Sequence, residues 1–252
     1  MNQKTIEQLN QLNKKFYQTV AQSFDRSRQY FWAGWNELQP MIEELTANGK
    51  KIRVLDLGCG NARFAEFLQS LSIEFDYIGV DNNKKLLTIA EAKLTQLNID
   101  YQLQPLDIIT ALQTDELTTT FKQKFDLIVA FGVLHHLPSF NLRLKFLKEM
   151  SDLLTTPSSR LIMTAWQFAA DERFSERMIK PAKIGIAVNE LETNDYILDW
   201  RKEEDAYRYC HFVDEAEIDQ MKKKLSNLKL TKSFLADGKS GVLNHYLIFK
   251  QQ

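Results

Sequence analysis

Val54-Leu55-Asp56-Leu57-Gly58-Cys59-Gly60-Asn61 is an apolar run that ends in a glycine turn. The run reads as a buried strand. The residues after it, Asn61 to Ser70, carry apolar side chains at three- and four-residue spacing, so the turn joins a strand to a helix. Glycine is needed there because the backbone turns sharply and because a side chain would collide with a closely held ligand. A nucleotide-sized ligand is implied. The next acidic residue at a strand end is Asp81, 21 positions after Gly60, in Tyr77-Ile78-Gly79-Val80-Asp81-Asn82. A carboxylate there accepts both ribose hydroxyls and repels a ribose phosphate, which favours an unphosphorylated nucleoside.

Dinucleotide enzymes share the glycine turn and the acidic strand end, but their fingerprint needs Gly or Ala three positions after Gly60, where a pyrophosphate meets the helix N-terminus. This chain has Arg63. Asp56, just ahead of the turn, also disfavours a pyrophosphate and suits the ammonium of a methionine moiety. Hydride transfer thus falls behind methyl transfer. Asp107, in Gln104-Pro105-Leu106-Asp107-Ile108, is placed to take an adenine amino group while Ile108 packs on the ring. Phe125 to Leu137 supplies a fourth strand and a loop, with Phe131, Gly132, His135 and His136, beside a sulfonium.

Together these segments resemble the class I S-adenosylmethionine-dependent methyltransferase motif series over roughly residues 50 to 166. The resemblance implies S-adenosylmethionine as cofactor, held by Arg28, Gly58, Cys59, Gly60, Asn61, Asp81, Asn82, Asp107, Ile108 and Phe131. Against a site role, any one of Gly58, Asp81 or Asp107 alone could be a turn or cap residue.

The surrounding pattern agrees. Strand-like runs at Ile52 to Leu57, Asp76 to Val80, Ile99 to Gln104, Phe125 to Phe131 and Arg160 to Trp166 alternate with helical periodicity at Asn61 to Ser70, Asn82 to Gln96, Ile108 to Thr120 and Phe140 to Leu154. Leu228 to Leu235 and Val242 to Lys250, joined by Ala-Asp-Gly-Lys-Ser-Gly, read as an antiparallel hairpin. The expected fold is α/β: a Rossmann-like sheet, mostly parallel with an antiparallel last strand, and helices on both faces. The whole of residues 1–252 is read as one methyltransferase domain. Residues 1–50 form two N-terminal helices, 51–166 the cofactor-binding core, 167–211 an inserted cap, and 212–252 a helix and the hairpin.

A formal charge of −1 offers no strong basic bias toward nucleic acid, so any RNA contact must be a local patch. Cys59 and Cys210 are too few for a disulfide framework and lack metal-ligand spacing, so no metal is expected. The polar N-terminus and the lack of any run of transmembrane length read as a cytoplasmic protein without membrane contact.

Acceptor identity is written outside the core. Phe24-Asp25-Arg26-Ser27-Arg28, and far downstream Asp195-Tyr196-Ile197-Leu198-Asp199-Trp200 with Arg208-Tyr209-Cys210-His211-Phe212-Val213, resemble the tRNA wobble-uridine methyltransferases that esterify a carboxymethyl group. That family has a Phe-x-x-(Ser/Thr)-Arg entry and an Arg-Tyr-Tyr-His-Val-Phe type run. This chain departs from it: Cys210 replaces an aromatic, Phe212 and Val213 are swapped, Ala62 replaces a glycine and Asp199 a proline.

The resemblance implies tRNA as a partner and, from some members, a small zinc-binding activating protein. A carboxylate acceptor is already anionic at neutral pH, so no general base is required. His136 and His211 are the candidates for a catalytic role, and Trp200, Arg208, Tyr209 and His211 for substrate contact, by stacking on a base or engaging an anion. Arg28 is expected to reach the cofactor's own carboxylate. Each has a plainer reading: Arg28 on a helix surface, Trp32 and Trp35 as core, and Arg201 with Lys202 paired to Glu203 and Glu204. Met221-Lys222-Lys223-Lys224 with Lys229 and Lys232 reads as an RNA patch or, preferably, as a solvated helix face. The rivals are a methyltransferase for a small metabolite and a non-catalytic cofactor- or partner-binding member.

Overall fold

The computed structural model of the chain describes residues 1–201 and 206–252. In chain order the helices are α1 Gln3–Arg26, α2 Ala33–Asn36, α3 Gln39–Leu45, α4 Arg63–Ser70, α5 Lys84–Gln96, α6 Ile108–Gln113, α7 Phe140–Asp152 and α8 Glu215–Lys224. The strands are β1 Ile52–Leu57, β2 Phe75–Asp81, β3 Tyr101–Pro105, β4 Leu127–Ala130, β5 Arg160–Trp166, β6 Met178–Ile179, β7 Asp195–Asp199, β8 Tyr207–His211, β9 Leu228–Ala236 and β10 Asn244–Gln251.

Seven strands form one sheet in the order β3-β2-β1-β4-β5-β10-β9. The first five are parallel, and β10 runs antiparallel to both β5 and β9. This is the expected mostly parallel sheet closed by a hairpin. Alternation along the strands feeds two cores, as a sheet covered on both faces requires. Leu55, Leu57, Ile128 and Ala130 pack toward α6, α7 and α8. Val54, Leu127 and Val129 pack toward the face carrying Trp35, Ile42, Phe64 and Leu87. Strand order reverses between β1 and β4, which opens a crevice beyond their C-terminal ends.

The N-terminal segment differs from the two expected helices: one long helix, α1, is followed by the short α2 and α3. Asn2 caps α1 through its side chain, which accepts from the Thr5 amide at 2.8 Å. Leu9 packs with Ile197 and Tyr209, and Phe16 and Val20 pack with Trp200 and Ala206, so α1 lies against a second, three-stranded antiparallel sheet of order β6-β7-β8. The helix after β3 stops at Gln113 rather than Thr120, and the fourth strand is confined to Leu127–Ala130. Among the described residues no helix is long and apolar enough to cross a membrane.

Asp237, in the hairpin turn, fastens the short α2 to the sheet. Its buried carboxylate accepts the Gly34 amide at 2.9 Å, the Asn244 side-chain amide at 2.8 Å and the Tyr246 hydroxyl at 2.7 Å. Gly34 has no room for a side chain, since a Cβ there would lie 2.4 Å from the Tyr246 ring. Removing the carboxylate strands three buried donors, each worth on the order of 1–3 kcal/mol when left unpaired. Asp237→Ala is therefore expected to lower unfolding free energy in urea by about 3 kcal/mol or more. Tyr246→Phe, which removes one donor together with its bond, should cost less than half as much.

Candidate functional site

The crevice holds a cavity of about 570 Å³. At its cofactor end the glycine turn is drawn onto β2: Gly58 and Cys59 donate to the Val80 carbonyl at 2.7 and 3.0 Å, and Gly60 donates to Asp81 Oδ2 at 3.0 Å. Gly58 has φ +71°, and a Cβ there would meet the Val133 side chain at 2.4 Å. Gly60 has φ +55° and open space where its Cβ would stand, which leaves the backbone bare toward a ligand. Ala62 sits at φ +55°, a left-handed conformation that suits the glycine found there in the family it resembles.

Asp81 is held by Gly60 on one oxygen and by the Asn83 amide, at 2.8 Å, on the other, and burial pushes its pKa up. Asp56 is 3 % exposed; burial lifts its pKa to about 7, partly offset by the Tyr77 hydroxyl donated at 2.7 Å. Arg28 and Arg63 line the same cavity. Neither is in an ion pair with a carboxylate among the described residues. Arg63 lies over Trp32 and Trp35 at 5.6 and 5.4 Å and donates to the Tyr30 carbonyl, and Arg28 lies over Phe24 at 4.9 Å. Burial and the neighbouring Arg28 lower the Arg63 pKa to about 10, the mark of a site short of negative charge.

Arg28, Gly58, Cys59, Gly60, Asn61, Asp81, Asn82, Asp107, Ile108 and Phe131 all line this cavity. Asn61 is also spent on tying α1 down, donating to Asp25 Oδ1 at 2.7 Å. Bare turn, buried acceptors and unpaired arginines together fit a nucleoside carrying an amino acid, the shape of S-adenosylmethionine.

The cavity lining also includes Arg208, 7 % exposed, whose guanidinium carbon lies 4.6 Å from the Trp166 ring centre, 5.1 Å from Phe16 and 5.6 Å from Trp200. No carboxylate pairs with it among the described residues. His136 is fixed at both nitrogens. Its Nδ1 is 3.0 Å from the Tyr209 carbonyl, which can only accept, so Nδ1 carries the hydrogen and Nε2 accepts the Tyr17 hydroxyl at 2.7 Å. Burial, reinforced by Arg208, drops the His136 pKa to about 3, and burial pushes His135 down as well. Both rings are neutral. His135 Nδ1 has no hydrogen-bond partner among the described residues.

Two expected substrate residues face away. On β8, side chains alternate: Arg208 and Cys210 turn to one face, Tyr209 and His211 to the other. The Tyr209 hydroxyl donates to Asp195 at 2.7 Å, and His211 bridges Asp195 at 2.7 Å and Glu217 at 2.5 Å. Glu217 in turn receives the fully buried Arg143, at 2.6 Å from its Nε. Tyr209 and His211 do not line the cavity; they hold β7, β8, α7 and α8 together. Trp200, Arg208 and His136 do line it. The proposed pairing of Arg201 and Lys202 with Glu203 and Glu204 lies outside the described residues for the last three; Arg201 itself pairs with Glu176 at 3.3 Å. Lys222 pairs with Asp219 at 2.8 Å, as on a solvated helix face. Asn10, Asn13 and Tyr17 of α1 line the cavity although no motif marks them, since a helix carries no signal of which distant loop it will cross; Trp166, at the end of β5, and His135 line it too.

The family model described as methyltransferase domain matches residues 48–225. Over 103 residues the chain is 34 % identical to the ubiquinone biosynthesis O-methyltransferase of Coxiella burnetii, an alignment covering 40 % of this chain and 38 % of that protein. It is 24 % identical over 175 residues to the tRNA (carboxymethyluridine(34)-5-O)-methyltransferase of Arabidopsis thaliana, covering 68 % of this chain and 37 % of that one. The chain thus spans well under half the length of these curated relatives. Its fold is similar to that of an N-methyltransferase from Bradyrhizobium japonicum WM9 solved with S-adenosyl-l-homocysteine, with TM-score 0.57, 15 % identity and 97 % and 98 % of the two chains covered.

The His211 pKa is raised: burial pulls it down, and the bonds to Asp195 and Glu217 outweigh that pull. A raised pKa means stability that is complete below about 6.5, the unfolded value, and lost as pH climbs through the folded value. Thermal unfolding followed from pH 6 to 9 is expected to show His211→Gln losing less stability with rising pH than the native chain does. Parallel curves would remove His211 from the network's charge balance.

Proposed function

This chain belongs to the methyltransferase-domain family, and we propose that it moves the methyl group of S-adenosylmethionine onto a carboxylate carried by a tRNA uridine side group. The observation that carries the acceptor class is Arg208, a buried cation held between Phe16, Trp166 and Trp200 with no carboxylate partner among the described residues. A desolvated, unpaired guanidinium lining a cavity calls for an anionic ligand, and its planar fork matches a carboxylate. The likeness to the Arabidopsis tRNA enzyme supports the same class.

When bound, the cofactor supplies a methyl group on a sulfonium, open to in-line displacement. The protein's part is positioning. Asp81 takes the ribose hydroxyls, Asp56 the ammonium, and Arg28 with Arg63 the methionine carboxylate. Arg208 holds the acceptor carboxylate, and Trp200 offers a stacking face to the base. Neutral His135 and His136 beside Arg208 are poor proton acceptors. An acceptor that arrives ionised needs none, whereas a phenol or amine would. A second reading, a small-metabolite O-methyltransferase, is favoured by the ubiquinone-pathway relative.

Radiolabelled S-adenosylmethionine with total tRNA tests the proposal against a small-metabolite extract. Expected is label in tRNA that mild alkali releases as methanol, the signature of a methyl ester, and that is absent with Asp81→Ala and at least tenfold lower with Arg208→Ala. Alkali-stable label, or label in metabolites alone, overturns it. No label despite cofactor binding points to the activating protein partner.

Asp56 makes a second expectation. An ammonium stabilises the ionised carboxylate, so binding below pH 7 must expel a proton. Affinity for S-adenosylhomocysteine by calorimetry should rise from pH 6 to pH 7.5, by up to about tenfold per unit on the acid side, and Asp56→Asn should flatten that rise.

A further inference from the structure

Leu86, Leu106 and Ile108 give the cavity apolar lining close in sequence to Asp107, and Asn10 lines the same cavity. Asp107 is the expected acceptor for the adenine amino group, yet its carboxylate is already full. Oδ1 accepts the Ile109 and Thr110 amides at 3.0 and 3.2 Å, which caps α6. Oδ2 accepts the Asn10 side-chain amide and the Lys14 ammonium, both at 2.9 Å. Four donors occupy the roughly four lone-pair sites that a carboxylate offers. An incoming amino group would have to displace one of them.

Asn10 lies on α1 and is 5 % exposed. A carboxylate can only accept, so Asp107 fixes the Asn10 amide with its nitrogen toward Asp107 and its oxygen turned away. That oxygen accepts from no described residue. On a residue that is itself buried and lines the cavity, it is an acceptor held at a set orientation and open to a ligand, the complement of an exocyclic amine. We propose that Asn10 Oδ1 reads the N6 amino group of the cofactor's adenine, and that Asp107 acts as a positioning residue which orients Asn10 and caps α6. The proposal rests on S-adenosylmethionine being the cofactor. It makes α1, which lies outside the residues matched by the family model, part of cofactor specificity.

The test compares binding of S-adenosylhomocysteine and S-inosylhomocysteine, which replaces the amine with a carbonyl, by calorimetry. The native chain should prefer the adenosyl form by roughly tenfold or more, since the inosyl carbonyl would face Asn10 Oδ1 with no hydrogen between them. Asn10→Leu is nearly isosteric and keeps the space beside Asp107 filled. It should bring the ratio to about one, chiefly by weakening the adenosyl ligand. If that variant does not fold, as judged by circular dichroism, Asn10→Val carries the same expectation. An unchanged ratio in a folded variant overturns the role of Asn10 while leaving the cofactor reading intact. A native chain that binds neither ligand overturns the cofactor reading, and the proposal with it.

Discussion

A helix laid across the open end of a parallel sheet has to satisfy its own buried polar side chains, and that constraint shapes this molecule. Asn10 and Asn13 of α1 are buried and Tyr17 is half-buried, and each finds its partner on a different element. Asn10 meets Asp107 after β3, Tyr17 meets His136 after β4, and Asn13 exchanges bonds with the backbone of Tyr209 on β8, at 2.8 Å to its amide and 3.2 Å to its carbonyl. Asn83, the cap of α5, donates to the Tyr17 carbonyl at 2.7 Å. Buried polar groups left unpaired are costly, so these bonds fix the helix in one position. The crevice becomes a cavity because α1 cannot lie elsewhere without stranding them.

That closure also sets the chemistry. Once α1 and the small sheet cover the loop after β4, the two histidines there lose water and with it their affinity for protons, and the nearby guanidinium of Arg208 opposes their protonation further. By residue type, paired histidines in that loop invite a catalytic role. Burial makes them neutral walls instead. What remains charged beside them is a cation, Arg208, and on the proposed reading its counterpart is an acceptor that carries its own negative charge and needs no proton removed.

The core was legible in the sequence because its signals are local and periodic. Strand-turn-helix at Leu57 to Arg63, an acid at the end of β2 and two-sided apolar strands each follow from a short window. The hairpin was legible from its turn-rich linker. The apolar pattern of the first fifty residues reads as two helices because it continues past Arg26, while the break through Ser27 to Trp32 is held by tertiary contacts such as Asn61 to the Arg28 carbonyl at 3.4 Å and Arg63 to the Tyr30 carbonyl. On β8, the motif-like run from Arg208 to Val213 gave residue types without facing. Alternation gives facing only once one neighbour's direction is known, and the segment before it, with Trp200, carries no periodic register that fixes it. The sequence therefore groups Tyr209 and His211 with Arg208, although the pleat turns both to the face opposite Arg208.

The pleat explains why only part of this run lines the cavity. The Tyr209 hydroxyl donates to Asp195, His211 bridges Asp195 and Glu217, and Glu217 pairs with the fully buried Arg143; this network holds β8 against α7 and α8. Arg208 sits between Tyr209 and its preceding neighbour on the same short strand, so its position in the aromatic cage is set by a network it does not touch. A cation with no carboxylate partner among the described residues is tolerable in a buried wall only if the backbone carrying it cannot yield, because otherwise it would swing toward water. The ion network on one face of β8 is thus what allows an unpaired charge on the other, and the aromatic rings of Phe16, Trp166 and Trp200 offer that charge a partial, nondirectional stabilisation which an anionic acceptor can still compete for and improve upon.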